Sequence, residues 1–149
     1  MIRRHVLLCW VALAAVGLAG CQAPADPFKA PPDVAGPPPD ALRTPSGIAS
    51  KVLHVGLGSV RPSLDSRVTV HYTGWTTDGR MFESTIGSGS PPTFGVAEVI
   101  PGWTEILQQM VKGEKRRVWI PGHLAYDNSP NPGDPRGMLV FDMEIIEVR

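Results

Sequence analysis

Tyr72, Phe82, Phe94, Val99, Ile100, Trp103, Tyr126 and Phe141 are the side chains with most to offer a ligand in this sequence. All are apolar or aromatic, and two end in a hydroxyl. Such a set contains no nucleophile. It can strip water from a bound group and hold it against ring faces, with tyrosine hydroxyls as hydrogen-bond donors. By patterning alone the same eight residues also read as a hydrophobic core, since they come from every element of the chain. Two details lean the other way, towards a cavity. Tyr126 opens a long polar loop, and the run from Val99 to Trp103 sets a large indole at the mouth of a helix.

Groupings for other chemistry are thin. No glycine-rich phosphate loop precedes a helix, and the two cysteines, Cys9 and Cys21, both lie near the N-terminus. His54, His71 and His123 lack metal-ligand spacing. Asp127, Asn128 and Asp134 resemble a calcium loop in composition only, because prolines interrupt it and the bidentate glutamate is missing. Formal net charge is zero. Without Arg3 and Arg4 the balance is 12 basic against 14 acidic residues, so nothing points to nucleic acid. Lys115, Arg116 and Arg117 form the one basic cluster and read as the solvated start of a strand.

The elements that must position these residues follow from periodicity. Residues 99–113 read as a helix of about three turns, with Trp103, Ile106, Leu107 and Met110 on one face. Pro101 suits a first turn, and Gly113 a left-handed stop. A helix this short is unstable alone in water, so it must lie against a sheet. Strands are expected over residues 49–55, 67–75, 81–84, 115–120 and 138–148, with Asp78 and Gly79 making a hairpin turn before the third. The expected fold class is α+β, an antiparallel sheet of about five strands curled around one short helix. Residues 126–135 form a long loop with no secondary structure of their own, which is uncommon unless functional.

The N-terminal part has a different character. Residues 1–20 read as an export signal, with Arg3 and Arg4 ahead of an apolar run too short to span a bilayer comfortably. Leu18, Ala19, Gly20 and Cys21 resemble the bacterial lipobox, which makes Cys21 the expected lipidation site and the lipid its membrane anchor. Residues 21–46 hold half of the sixteen prolines and read as a disordered or extended tether. Residues 47–149 then form a single domain.

Across that domain several motifs occur together: Val70-His71-Tyr72-Thr73-Gly74-Trp75, Asp78-Gly79-Arg80-Met81-Phe82-Glu83-Ser84, Glu98-Val99-Ile100-Pro101-Gly102-Trp103, Leu124-Ala125-Tyr126 and Leu139-Val140-Phe141-Asp142. Their order and spacing resemble the FKBP-type peptidyl-prolyl cis-trans isomerases. The link over residues 92–98 is similar to the bacterial members related to the macrophage infectivity potentiators. The resemblance implies a five-stranded antiparallel sheet around a short helix, and cis–trans isomerisation of Xaa–Pro bonds without a cofactor or metal.

By the same resemblance, Trp103 is the pocket floor and Tyr72, Phe82, Val99, Ile100 and Phe141 are its walls, with Phe94 beside them. Tyr126 offers its hydroxyl to a substrate carbonyl, the Ile100 backbone N–H is a second donor, and Glu83 is the site's acid. Implied partners are proline-containing polypeptides and macrolide inhibitors. The sequence departs from the family at Glu83, where most members carry Asp, and at Pro92, Asp127, Pro132 and Gly133. The expected setting is the bacterial envelope. Gln22 after the lipidated cysteine resembles the outer-membrane sorting choice, facing the periplasm. No dimerisation helix is read ahead of the domain, so a monomer is expected. The competing readings are a proline-segment-binding or chaperone module with little turnover, and a structural lipoprotein in which the aromatic set is only core.

Overall fold

Alternating apolar and polar residues build most of the sheet, and the alternation decides which side each residue buries. The computed structural model describes residues 26–149. The export signal, Cys21 and Gln22 lie outside the described residues.

Among the described residues seven strands form one sheet: β1 (Leu42–Arg43), β2 (Ala49–His54), β3 (Arg67–Thr76), β4 (Met81–Ser84), β5 (Thr93–Gly95), β6 (Lys115–Ile120) and β7 (Leu139–Val148). Their order is β1-β2-β6-β7-β3-β4, every pairing is antiparallel, and β5 joins β3 at Arg67, Val68 and Thr69. The five strands read from the sequence are all present. The two additions, β1 and β5, are too short to carry a periodic pattern.

One face of the sheet packs on α1 (Pro101–Leu107), the one α-helix among the described residues. Val68, Val70 and Tyr72 of β3, Val118 and Ile120 of β6, and Leu139, Phe141, Met143 and Ile145 of β7 meet Trp103, Ile106, Leu107 and Met110 there. This is the antiparallel sheet around one short helix that the pattern implies. Gly102 lets α1 lie tight on β6, because a Cβ there would collide with the Ile120 side chain.

The helix is shorter than the periodicity implies. It starts at Pro101, since a residue before proline is held out of the helical region, and Ile100 is extended at φ −57°, ψ 148°. It ends at Leu107. The next turns close by i to i−3 bonds, Gln109 N–H to Ile106 O at 3.0 Å and Met110 N–H to Leu107 O at 3.2 Å. Met110 still reaches the core, and Gly113 does take a left-handed φ of +81°.

The reading of residues 21–46 as a disordered or extended tether does not hold for residues 26–46, which fold against the other side of the sheet. Two of the proline pairs drive successive turns rather than an extended rod. The bonds are Val34 N–H to Pro31 O at 3.1 Å and Ala41 N–H to Pro38 O at 3.1 Å, with Pro32 and Pro39 fixing φ at the second turn position. Val34 and Ala41 cover a second apolar cluster of Ala49, Trp119 and Val140. The Trp119 indole Nε1–H donates to Asp33 O at 3.0 Å, and the Trp75 indole Nε1–H to Phe28 O at 3.3 Å. Arg117 binds Asp142 through two hydrogen bonds of 2.7 and 2.8 Å and Asp33 through a third of 2.7 Å. These contacts turn the segment into a strap.

The same contacts revise the basic cluster. Of the three residues read as a solvated strand start, Arg116 is buried against a buried Glu114, with Nε to Oε1 at 2.6 Å, and Arg117 sits under the strap.

Candidate active site

Tyr72 and Phe141 lie on neighbouring antiparallel strands and point to the helix side, so the indole at the start of α1 meets both rings. Tyr72 stands 4.8 Å from Trp103 at 89°, and Phe141 5.5 Å from it at 84°. Phe94 on β5 closes a third side at 5.9 Å and 88°. Edge-to-face contacts of this kind fix ring orientation as well as burying area. Trp103 is 5 % exposed, and its Nε1–H is buried without a hydrogen-bond partner among the described residues. The perpendicular rings around it offer that donor only weak contacts.

Above the indole is a cavity of about 330 Å³ lined by Tyr72, Glu83, Phe94, Glu98, Val99, Ile100, Trp103, Tyr126 and Phe141. Eight of the nine site residues expected from the sequence are therefore brought together. Phe82 is the exception. It stacks edge-on against Phe141 at 5.6 Å and 88°, outside the lining, and so braces a wall rather than forming one. Glu98 is the lining residue that the sequence reading missed. Its carboxylate accepts from Gly95 N–H at 3.1 Å, closing the turn between β5 and α1. Glycine followed three residues later by glutamate was the available signal, a cap-like spacing.

The polar groups of the cavity are few and placed on different elements. Glu83, on β4, faces the Tyr72 hydroxyl. Burial first, and then this carboxylate, push the Tyr72 phenol well above its usual range. Burial likewise raises the Tyr126 phenol, helped by the negative charges of Glu83 and Asp134. Both tyrosines are thus protonated donors at neutral pH. No backbone carbonyl accepts from the Ile100 N–H among the described residues.

The loop that carries Tyr126 is tied into a fixed shape by its own side chains. Arg136 donates to the carbonyls of Tyr126, Ser129 and Asn131, the last two at 3.0 Å. Asp127 accepts from Gly137 N–H at 2.7 Å, bridging the base of the loop. Asn131 Nδ2 donates to Asp134 at 2.8 Å. Asp127, a departure from the family pattern, acts here as a clasp. Among the described residues, no three His, Cys, Asp or Glu side chains gather where a metal ion could sit.

Comparison with known proteins agrees with this architecture. The family model for FKBP-type peptidyl-prolyl cis-trans isomerases matches residues 58–146. The chain is 42% identical over 113 residues to a macrophage infectivity potentiator of Trypanosoma cruzi, covering 74% of this chain and 58% of that protein. It is 41% identical over 113 residues to the outer membrane protein MIP of Legionella longbeachae, covering 74% and 48%. The crystal structure of FkpA from Escherichia coli superposes with a TM-score of 0.69 at 35% identity, over 75% of this chain and 53% of that one. An isomerase structure from Pseudomonas syringae gives 0.67 at 35%, over 74% and 82%. The chain thus spans about half the length of the curated relatives it matches. On the matched residues, the shared fold and this level of identity, the chain belongs to the FKBP-type peptidyl-prolyl cis-trans isomerase family.

Proposed function

We propose that this protein catalyses cis–trans isomerisation of Xaa–Pro bonds in proteins of the bacterial envelope. The observation that supports this most directly is the aromatic cavity floored by Trp103, with two protonated tyrosines and an extended Ile100 at its edge. The barrier to rotation, about 18–20 kcal/mol, comes from amide resonance that is lost as the bond twists. No bond breaks, so the site needs no nucleophile. The planar amide is more charge-separated than the twisted one, so an apolar enclosure disfavours the planar state relative to water. That difference is what lowers a barrier.

In this reading Trp103 receives the prolyl ring, and Tyr72, Val99, Ile100, Phe94 and Phe141 enclose it. The Tyr126 hydroxyl and the Ile100 N–H hold substrate carbonyls while the amide rotates. Glu83 fixes the Tyr72 hydroxyl, and Phe82 keeps Phe141 upright. Macrolides are expected to compete for the same cavity. Unaided Xaa–Pro isomerisation takes tens of seconds, slow enough to delay folding. The envelope setting rests on the export-signal pattern of residues 1–20, on the lipobox ending at Cys21 and on the outer-membrane naming of one relative. The proposal has the protein acting as a monomer held by its lipid.

A protease-coupled assay on Xaa–Pro peptides tests the activity. Faster cis-to-trans conversion, blocked by a macrolide, is the expected result. Rates equal to the uncatalysed reaction overturn the reading.

A further inference from the structure

The wall of the cavity is apolar, yet its rim carries acid and no base. Glu83 and Glu98 both line it, and no lysine or arginine among the described residues does. Each carboxylate has a neighbour in the site. Glu83 is on β4 facing the Tyr72 hydroxyl, and Glu98 is held by the Gly95 N–H at 3.1 Å. A third acid, Asp134, is near enough to act on the Tyr126 phenol together with Glu83. Two cations lie close by and must be weighed against them. Arg67 is 3.6 Å from Glu98 in a pair more than half exposed on both sides, which offsets Glu98 in part and leaves Glu83 untouched. Arg136 is engaged with the carbonyls of the Tyr126 loop.

A cleft with low-dielectric walls and charges of one sign at its mouth concentrates their field on whatever enters. The prolyl ring itself is neutral. The side chains on either side of it must pass the rim, and they are where the field discriminates. We propose that Glu83 and Glu98 give the site a preference for Xaa–Pro bonds flanked by lysine or arginine, and a penalty against acidic flanks. This inference rests on the isomerase reading above and names the substrate class of that site.

Three otherwise identical peptides, with Leu, Lys or Glu next to the proline, separate the two claims. The charged residue is placed before the proline in one set, read by the protease-coupled assay, and after it in a second set, read by NMR exchange. At about 20 mM ionic strength, where screening is weak, the Lys peptide in at least one set is expected to exceed the Glu peptide in kcat/KM by about five- to tenfold. At about 500 mM the ratio is expected to fall to within about twofold. Glu98→Gln keeps an acceptor for the Gly95 N–H and is expected to reduce the low-salt ratio. Adding Glu83→Gln brings it near unity. A Leu peptide that is turned over while Lys and Glu peptides run equally in both sets, or a ratio unmoved by salt and by both substitutions, overturns this inference and leaves the isomerase reading standing. No acceleration of any peptide overturns the isomerase reading itself, and the inference with it.

Discussion

Tyr72 on β3 and Trp103 at the start of α1 meet edge-to-face, ring centroids 4.8 Å apart and planes at 89°. This single contact joins one of the two longest strands of the sheet to α1 and makes the floor and one wall of the cavity at once. Stability and site geometry are therefore coupled at this point.

Trp103→Leu should separate the two effects. It removes the floor and leaves a void, so a loss of about 2–4 kcal/mol is expected in urea unfolding. The folded fraction should also lose most of its peptide turnover. Tyr126→Phe changes no packing, and about five- to tenfold lower kcat/KM is expected, roughly the worth of one hydrogen bond. Unchanged rates in both variants would refute the assignment of this cavity as the active site.

Glu83 reaches one methylene further than the aspartate common in the family. Glu83→Asp should shift kcat/KM by less than about threefold, since the acceptor facing Tyr72 is kept. A loss of more than tenfold would mean that the acid does more than steady the phenol.

Asp33 ties the strap to β6 through Arg117, in a pair whose side chains are 24 % and 14 % exposed. Asp33→Ala is expected to lower stability by about 1–2 kcal/mol, between the worth of a surface pair and a buried one. The urea midpoint should fall while kcat/KM for a neutral peptide stays as it was, because the strap contacts the far side of the sheet. A change in kcat/KM with no change in midpoint would count against this division.

Alkaline pH should reveal the two site tyrosines. Both phenols titrate above their ordinary value in the folded state. A raised pKa means that the folded state holds its proton where the unfolded state releases it. This contribution is complete below about pH 10, the unfolded value, and is lost as pH rises beyond it. Thermal unfolding should therefore show a steep fall in Tm above that pH, blunted in Tyr72→Phe. Turnover itself should be flat across neutral pH, as neither donor ionises there.

Cys21→Ser tests the anchor. Membrane fractions of the expressing cell should lose the protein to the soluble fraction, with activity retained. Continued sedimentation with membranes would remove the lipid from the account.

The parts of this molecule that were legible in the sequence are those where one residue pattern meets one environment. Val68, Val70 and Tyr72 alternate because β3 has a core on one side, and Leu139, Phe141, Met143 and Ile145 do so on β7. The strap was not legible because its proline content was read as an average. Two of its proline pairs instead begin turns, and the docking contacts come from far along the chain. A signal was present all the same. Trp75 and Trp119 fall on the outward positions of their strands, and two indoles on that face require a cover. The helix was overextended because its apolar face continues to Met110 after the hydrogen bonding has tightened. Phe82 shared the family motif with the pocket residues, but which side of Phe141 it occupies depends on the pairing of β4 with β3, which no local pattern encodes.

The strap also sets where the segment leading into the domain is gripped. A pull on the chain at Asp26 would be met first at the Trp75 and Trp119 indoles and at Arg117, on the sheet face away from the cavity. Those anchors sit on β3 and β6, which β7 joins through hydrogen bonds to both. Tyr72, Trp103 and Phe141 face the opposite side of the sheet, behind that grip.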